Sequence, residues 1–303
     1  MSVATFDARV IATYGRHLLV RDASGRECRA RPFGRSLAVV CGDDVRCRKD
    51  ERHGEVHVLE VLPRRTALYR SNARGLDEPV LANLTRLLVV IAPIPPPDLF
   101  VADRYLAAAE SARIGATLVL NKAELGVGPA LTSQLDAFAA AGYACIACSA
   151  QTGDGVSALL GACAGAVAAL VGQSGVGKSS LLRRLIPGAD VEIGALVREE
   201  EGRHTTTASR LFELPGGGQL IDSPGVRDFA PAVDRLDGRN LGFVEVERLA
   251  PGCRFLDCRH LREPQCAVRA AVERGELDPR RYESYRRLRR LHEQLVEARG
   301  PRR

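Results

Sequence analysis

The sequence predicts a multidomain chain: an all-β barrel over residues 1–63, an α/β domain over 64–230 and a short helical, metal-binding domain over 231–303. Three observations carry this. Short alternating apolar segments are separated by turn residues at the start; longer apolar runs alternate with helical stretches in the middle; and a Cys/His cluster precedes an amphipathic stripe at the end. With 303 residues, 46% of them hydrophobic, the chain can bury several cores.

The first 63 residues offer candidate strands at 8–14, 17–22, 26–31, 37–47 and 55–62. Turn signals lie at Ala23-Ser24-Gly25, Gly42-Asp43-Asp44 and His53-Gly54. Five short strands in about sixty residues suit an OB-fold-like barrel, with another small barrel or an open sheet as the alternatives. From residue 64 the pattern alternates. Strands are expected at 87–92, 117–120, 144–147, 167–171 and 218–221, helices at 99–114, 130–141 and 156–163, and a further helix through 181–185. Beyond 231 the chain is short, basic and helical. Asp278-Pro279 supplies an N-cap and a first-turn proline; Tyr282, Tyr285, Leu288, Leu291 and Leu295 then recur at helical spacing, with Arg286, Arg287, Arg289 and Arg290 largely off that stripe.

The net charge of +6 favours an acidic partner without naming one. Lys49, Lys122 and Lys178 are the only lysines, and two of them fall in the motifs below. Residues 1–10 hold no apolar core of a secretory signal. The uncharged stretch 155–172 is rich in Ala and Gly and runs into a phosphate loop, so it is read as helix plus buried strand and not as a membrane span. Of nine unevenly spaced cysteines, three cluster with a histidine near the C-terminus and read as metal ligands, and the rest read as buried thiols of a cytoplasmic protein.

Gly172-Gln173-Ser174-Gly175-Val176-Gly177-Lys178-Ser179 matches G-x-x-x-x-G-K-[ST], with Ser180 next in the helix. Its glycines let backbone N–H groups turn toward phosphates, Lys178 adds charge near the β- and γ-phosphates, and Ser179 offers a hydroxyl to Mg²⁺. The base is named elsewhere. Asn121-Lys122-Ala123-Glu124 resembles N-K-x-D, whose carboxylate accepts from guanine N1–H and the exocyclic amine; adenine would leave that acid unpaired. Glu124 replaces the usual Asp, one methylene longer. Cys148-Ser149-Ala150 resembles the loop that offers a backbone N–H to guanine O6. Asp222-Ser223-Pro224-Gly225 matches D-x-x-G, in which Asp222 holds a Mg²⁺-bound water and the Gly225 N–H senses the γ-phosphate. Between them, residues 202–207 stand where switch I belongs. One of Thr205, Thr206 and Thr207 should ligand Mg²⁺; the central Thr206 stands for the set, the choice remaining open. His204 is a candidate for positioning the attacking water, or an ordinary loop histidine. Val226 occupies the place of a water-orienting Gln, so unassisted hydrolysis should be slow.

The order is the informative point. Ordinary GTPases read phosphate loop, switch I, D-x-x-G, N-K-x-D, S-A; here the base-binding half precedes the phosphate-binding half, a circular permutation. Cys253, Cys258, His260 and Cys266 form C-x₄-C-x-H-x₅-C, a closed set typical of structural Zn²⁺.

Together these residues resemble the RsgA (YjeQ) family of bacterial small-ribosomal-subunit-dependent GTPases over nearly the whole chain. Gly172 to Ser180 and Gly202-Arg203-His204-Thr205-Thr206-Thr207 look like that family's own wording. The resemblance implies a GTP phosphohydrolase that binds GTP and GDP. It implies binding to the 30S subunit late in assembly, contact with 16S rRNA through the barrel and zinc domains, and stimulation by the subunit; a monomer and no membrane association are expected. Two other classes stay open from the residues alone: a nucleotide-gated RNA-binding module that barely hydrolyses GTP, and a P-loop ATPase.

Overall fold

The structure, a computed structural model, describes residues 5–34, 37–50, 55–71, 77–189, 208–223 and 231–299. The chain begins with β1 (Thr5–Tyr14), β2 (His17–Asp22), β3 (Glu27–Pro32), β4 (Asp44–Lys49) and β5 (Val56–Val61). Pairing runs β1-β2-β3-β5-β4, and β4 pairs back onto β1, which closes a five-stranded barrel of OB-fold order. Alternate residues point inward: Ala8, Val10, Leu18, Val20, Val45, Cys47 and Val58 fill it. The strand expected from residue 37 starts only at Asp44. Buried Asp43 bends the preceding segment, accepting the Val40 N–H at 2.8 Å and pairing with Arg64 at 2.6 Å. Gly42, at φ +92°, lies where a Cβ would fall 2.2 Å from the Ala82 carbonyl oxygen.

A hairpin, β6 (Ala67–Ser71) and β7 (Asp77–Ala82), leads into a second sheet. Its parallel strands are β8 (Arg86–Ile91), β9 (Gly115–Leu120), β10 (Ala144–Ala147), β11 (Val167–Gly172) and β13 (Gln219–Asp222), in the order β10-β9-β8-β11-β13; β12 (Ser209–Glu213) is antiparallel to β13. Helices α1 (Leu99–Ser111), α2 (Pro129–Ala141), α3 (Val156–Cys163) and α4 (Lys178–Leu185) cover it. The alternation within β8 explains its unbroken apolar run. Leu87, Val89 and Ile91 pack with Tyr105 and Leu106 of α1, while Leu88 and Val90 pack with Leu159, Leu181 and Leu185 of α3 and α4. No helix among the described residues is long and apolar enough to cross a membrane; the uncharged stretch 155–172 is largely α3 and β11.

The two sheets are continuous. Residues 5–9 of β1 pair with β4, and further along the same strand Ala12 and Thr13 pair with Arg210 and Ser209 of β12. Between them, Ile11 leaves the barrel and buries with Leu211 and Ile221 in the core of the second sheet.

The C-terminal part holds α5 (Val244–Leu249), α6 (Ala267–Glu273) and α7 (Pro279–Arg299). Asp278 accepts the Arg281 N–H at 2.9 Å, capping α7 as its sequence predicts. Tyr285 and Leu288 are fully buried with Phe243 and Val246. Arg289, although off the apolar stripe, does not face solvent. It is buried, and donates to the Tyr285 hydroxyl at 2.6 Å and to the Arg239 carbonyl at 2.5 Å.

Candidate nucleotide site and metal centre

The loop joining β11 to α4 is shaped by its glycines. Gly172, at φ +142°, pairs with Val90 so closely that a Cβ would stand 2.1 Å from the Val90 carbonyl oxygen; Gly177, at φ +94°, leaves 2.3 Å to the Asn121 amide. Both sites therefore exclude side chains. Lys178 opens α4, is 6% exposed, and donates to the Gly172 and Gln173 carbonyls at 2.7 and 2.8 Å. Those bonds hold its ammonium within the loop, at the positive end of the helix. Ser179 follows half-buried in the first turn, while Ser174, Gly175 and Ser180 are exposed and Val176 is buried.

Residues far apart in sequence meet here because β8, β9, β10, β11 and β13 run parallel and end on one edge. Asn121, 1% exposed at the end of β9, ties the edge together. Its amide nitrogen donates to the Val176 carbonyl at 2.9 Å, and its amide oxygen accepts the Ala150 N–H at 3.1 Å. Lys122, in left-handed conformation at φ +60°, donates to the Gly175 and Ile94 carbonyls, both at 2.8 Å. Ala123 donates its N–H to the Cys148 carbonyl at 3.1 Å, which fixes the following short turn, Ala123–Leu125, where Glu124 is exposed. Buried Ser149 accepts the Thr152 N–H at 3.0 Å on its hydroxyl and so shapes the loop after β10. Burial, reinforced by the charge of Glu124, pushes the Cys148 thiol up to about 11 and keeps it neutral beneath this loop.

Asp222 ends β13 buried, beside the strand that delivers the phosphate loop. His204, Thr205, Thr206, Thr207, Gly225 and Val226 lie outside the described residues. The structure adds contacts the sequence reading left unassigned. Gln173 accepts the Asp98 N–H at 2.9 Å, and Pro95 borders Gly175, so the proline-rich loop after β8 buttresses the phosphate loop. Only its position at a strand end hinted at that role.

The metal ligands expected near the C-terminus also converge. Atoms of Cys253, Cys258, His260 and Cys266 all lie within 4.8 Å of one another. The Cys253–Cys266 sulfur separation is 3.9 Å, and His260 Nδ1 stands 3.4 and 3.5 Å from those two sulfurs. A tetrahedral ion with bonds of about 2.3 Å to sulfur needs ligand separations of roughly 3.8 Å, so three thiolates and an imidazole here fit Zn²⁺. His260 takes φ +59°, and Tyr282 donates to its carbonyl at 2.7 Å. Glu263 accepts the N–H groups of Arg259, Leu261 and Arg262 at 2.9–3.0 Å. Desolvation opposes its charge, but these donors outweigh it and hold the carboxyl down at about 2.

Residues 61–231 match the family model described as RsgA GTPase. Curated relatives include the small ribosomal subunit biogenesis GTPase RsgA of Azotobacter vinelandii, 44% identical over 92% of this chain and 83% of that protein. The protein of the same description from Pseudomonas aeruginosa is 43% identical over 92% and 84%. Among solved structures, YjeQ from Thermotoga maritima superposes with a TM-score of 0.73 at 26% identity, covering 99% of this chain and all of the other. YloQ, described as a circularly permuted GTPase, shares the fold at 0.72 and 22% identity over 99% and 98% of the two chains.

Proposed function

The chain belongs to the RsgA GTPase family, and from that premise we propose that it hydrolyses GTP to GDP and phosphate while bound to the small ribosomal subunit late in that particle's assembly. The observation that carries the nucleotide part is the bridging amide of Asn121. One side chain fastens the base loop, the Ala150 loop and the phosphate loop into a single cradle, although the chain visits them in permuted order.

In this reading Gly172, Gln173, Ser174, Gly175, Val176, Gly177, Lys178, Ser179 and Ser180 receive the phosphates. Asn121, Lys122, Ala123, Glu124, Ser149 and Ala150 receive guanine. Ser179, a threonine represented by Thr206, and Asp222 through a water would hold Mg²⁺, which supplies charge neutralisation on the transferring phosphoryl group. Lys178 contributes the protein's own cation to the same charge. The Gly225 N–H would sense the γ-phosphate, and His204 is the candidate for orienting the water. The Cys253, Cys258, His260 and Cys266 centre holds one structural Zn²⁺. Subunit binding runs through 16S rRNA contacts by the barrel and the zinc-bearing part, and the protein acts as a monomer in the cytoplasm, where reduced cysteines persist. Residues 1–63, 64–230 and 231–303 serve as the working division, with β1 of the first pairing onto β12 of the second.

The base assignment is tested by competition. Bound GDP should be displaced by GTP and not by ATP at matched concentration. Equal displacement by both would contradict it.

A further inference from the structure

We infer that Ser209 is a positioning residue for GTP hydrolysis, acting through its hydroxyl bond to Ser223; this rests on the GTPase reading above. The two hydroxyl oxygens lie 2.7 Å apart, a good length for an O–H···O bond. Their meeting follows from the ladder. β12 and β13 are antiparallel with Arg210 opposite Asp222, so Ser209 and Ser223 form the next cross-strand pair.

The location gives the bond its consequence. Ser209 lies two residues after the segment 202–207, the stretch that carries the threonines and His204. Ser223 directly follows Asp222 and belongs to D-x-x-G. One side-chain bond thus joins the root of the first switch segment to the root of the second. Around it the structure is firm. Ser223 is 6% exposed and Asp222 equally so, and Ala208 is buried against Ala12 and Tyr14 of β1. On the far edge of β12, Ser209 is paired with Thr13. The bond therefore sets the separation of Ser209 and Ser223, the residues from which the two switch stretches of the sequence continue. Hydrolysis requires both at once, since the threonine, the Asp222-held water and the Gly225 N–H must converge on one γ-phosphate. GDP binding requires neither; it is supported by the phosphate loop and the base loops.

The test is single-turnover and steady-state hydrolysis, with and without purified 30S subunits, for the wild-type protein and for Ser209→Ala and Ser209→Thr. Ser209→Ala should lower kcat about two- to tenfold, the rate equivalent of one neutral hydrogen bond. GDP affinity and melting behaviour should stay near wild type. Ser209→Thr keeps the hydroxyl and suits a strand, and should restore the rate. Ser223→Ala against Ser223→Thr repeats the comparison from the partner side, should the first pair express poorly. Unchanged kcat in Ser209→Ala overturns the proposal, as does a loss that Ser209→Thr fails to rescue or one matched by a fall in GDP affinity. A wild-type protein that hydrolyses no GTP under either condition would instead remove the GTPase reading itself.

Discussion

Asn121, Glu124 and Arg281 show how differently single residues announce themselves. Asn121 makes two bonds that no other side chain of its size could make at once, one donated and one accepted. The N-K-x-D resemblance pointed to it because the chemistry demands an amide there. Glu124 is exposed on its short turn, free of the packing that would fix a carboxylate before a base arrives. Glu124→Ala should weaken GDP binding by about 1–3 kcal/mol, the worth of charged hydrogen bonds to the base, and should leave ATP binding as poor as before; titration calorimetry reads both. Arg281 was invisible in a chain whose basic residues are nearly all arginine. It is 1% exposed, with Asp103 of α1 at 2.5 Å and Glu245 of α5 at 2.6 Å, and its guanidinium lies 4.7 Å from the centre of the Phe243 ring and 5.1 Å from that of Phe138. Arg281→Ala strands buried Glu245 and leaves buried Asp103 with Arg280 alone, and should cost about 3–5 kcal/mol of stability, measured by thermal unfolding. A change under 1 kcal/mol would show that water replaces the guanidinium at little cost.

At the scale of elements, local periodicity located most strands and helices and failed where pairing is non-local. Strands β2 and β10 and helix α3 stand at their expected bounds, since each has a clean apolar pattern between turn residues. β12 was missed because Ser-Arg-Leu-Phe-Glu is short and charged at its ends; it is held by β13 on one side and β1 on the other. The β6–β7 hairpin was missed for a similar reason. It forms its own two-stranded sheet, and Leu68 and Leu81 find their burial in the core of the neighbouring sheet. The Cys/His cluster was the clearest element of all, because ligand spacing is a covalent constraint readable without knowing the fold. With few regular turns of its own, this segment would draw much of its order from the proposed zinc. Cys258→Ala should therefore release zinc and increase hydrogen exchange across residues 253–266, while GDP affinity stays within about twofold, since the nucleotide residues belong to other elements. Elemental analysis of the untagged wild-type protein should find one zinc per chain; none would remove the metal assignment.

For the whole molecule, the barrel and the nucleotide-binding sheet share β1, so the barrel is not a pendant module. Ile11 is buried in the second sheet's core, and Asn83 donates to the Gly42 carbonyl at 2.9 Å across the same joint. α7 is joined to the other side by Arg280 and Arg281, both bound to Asp103. A surface held by the barrel and by the C-terminal part therefore bears on β12 and α1, which flank the phosphate loop through β13 and through the Asp98–Gln173 bond. This joint could not be read from the sequence, because nothing local marks which edge of β1 meets which strand. In the proposed function it is the route by which subunit docking would order the switch segments, where the Val226 position would otherwise leave the attacking water without a glutamine. The most direct test is GTP turnover at low salt with and without purified 30S subunits. The account predicts a rise in kcat of at least tenfold, about 1.4 kcal/mol of activation free energy, that high salt suppresses by screening the phosphate contacts. Equal rates with and without the subunit would contradict it.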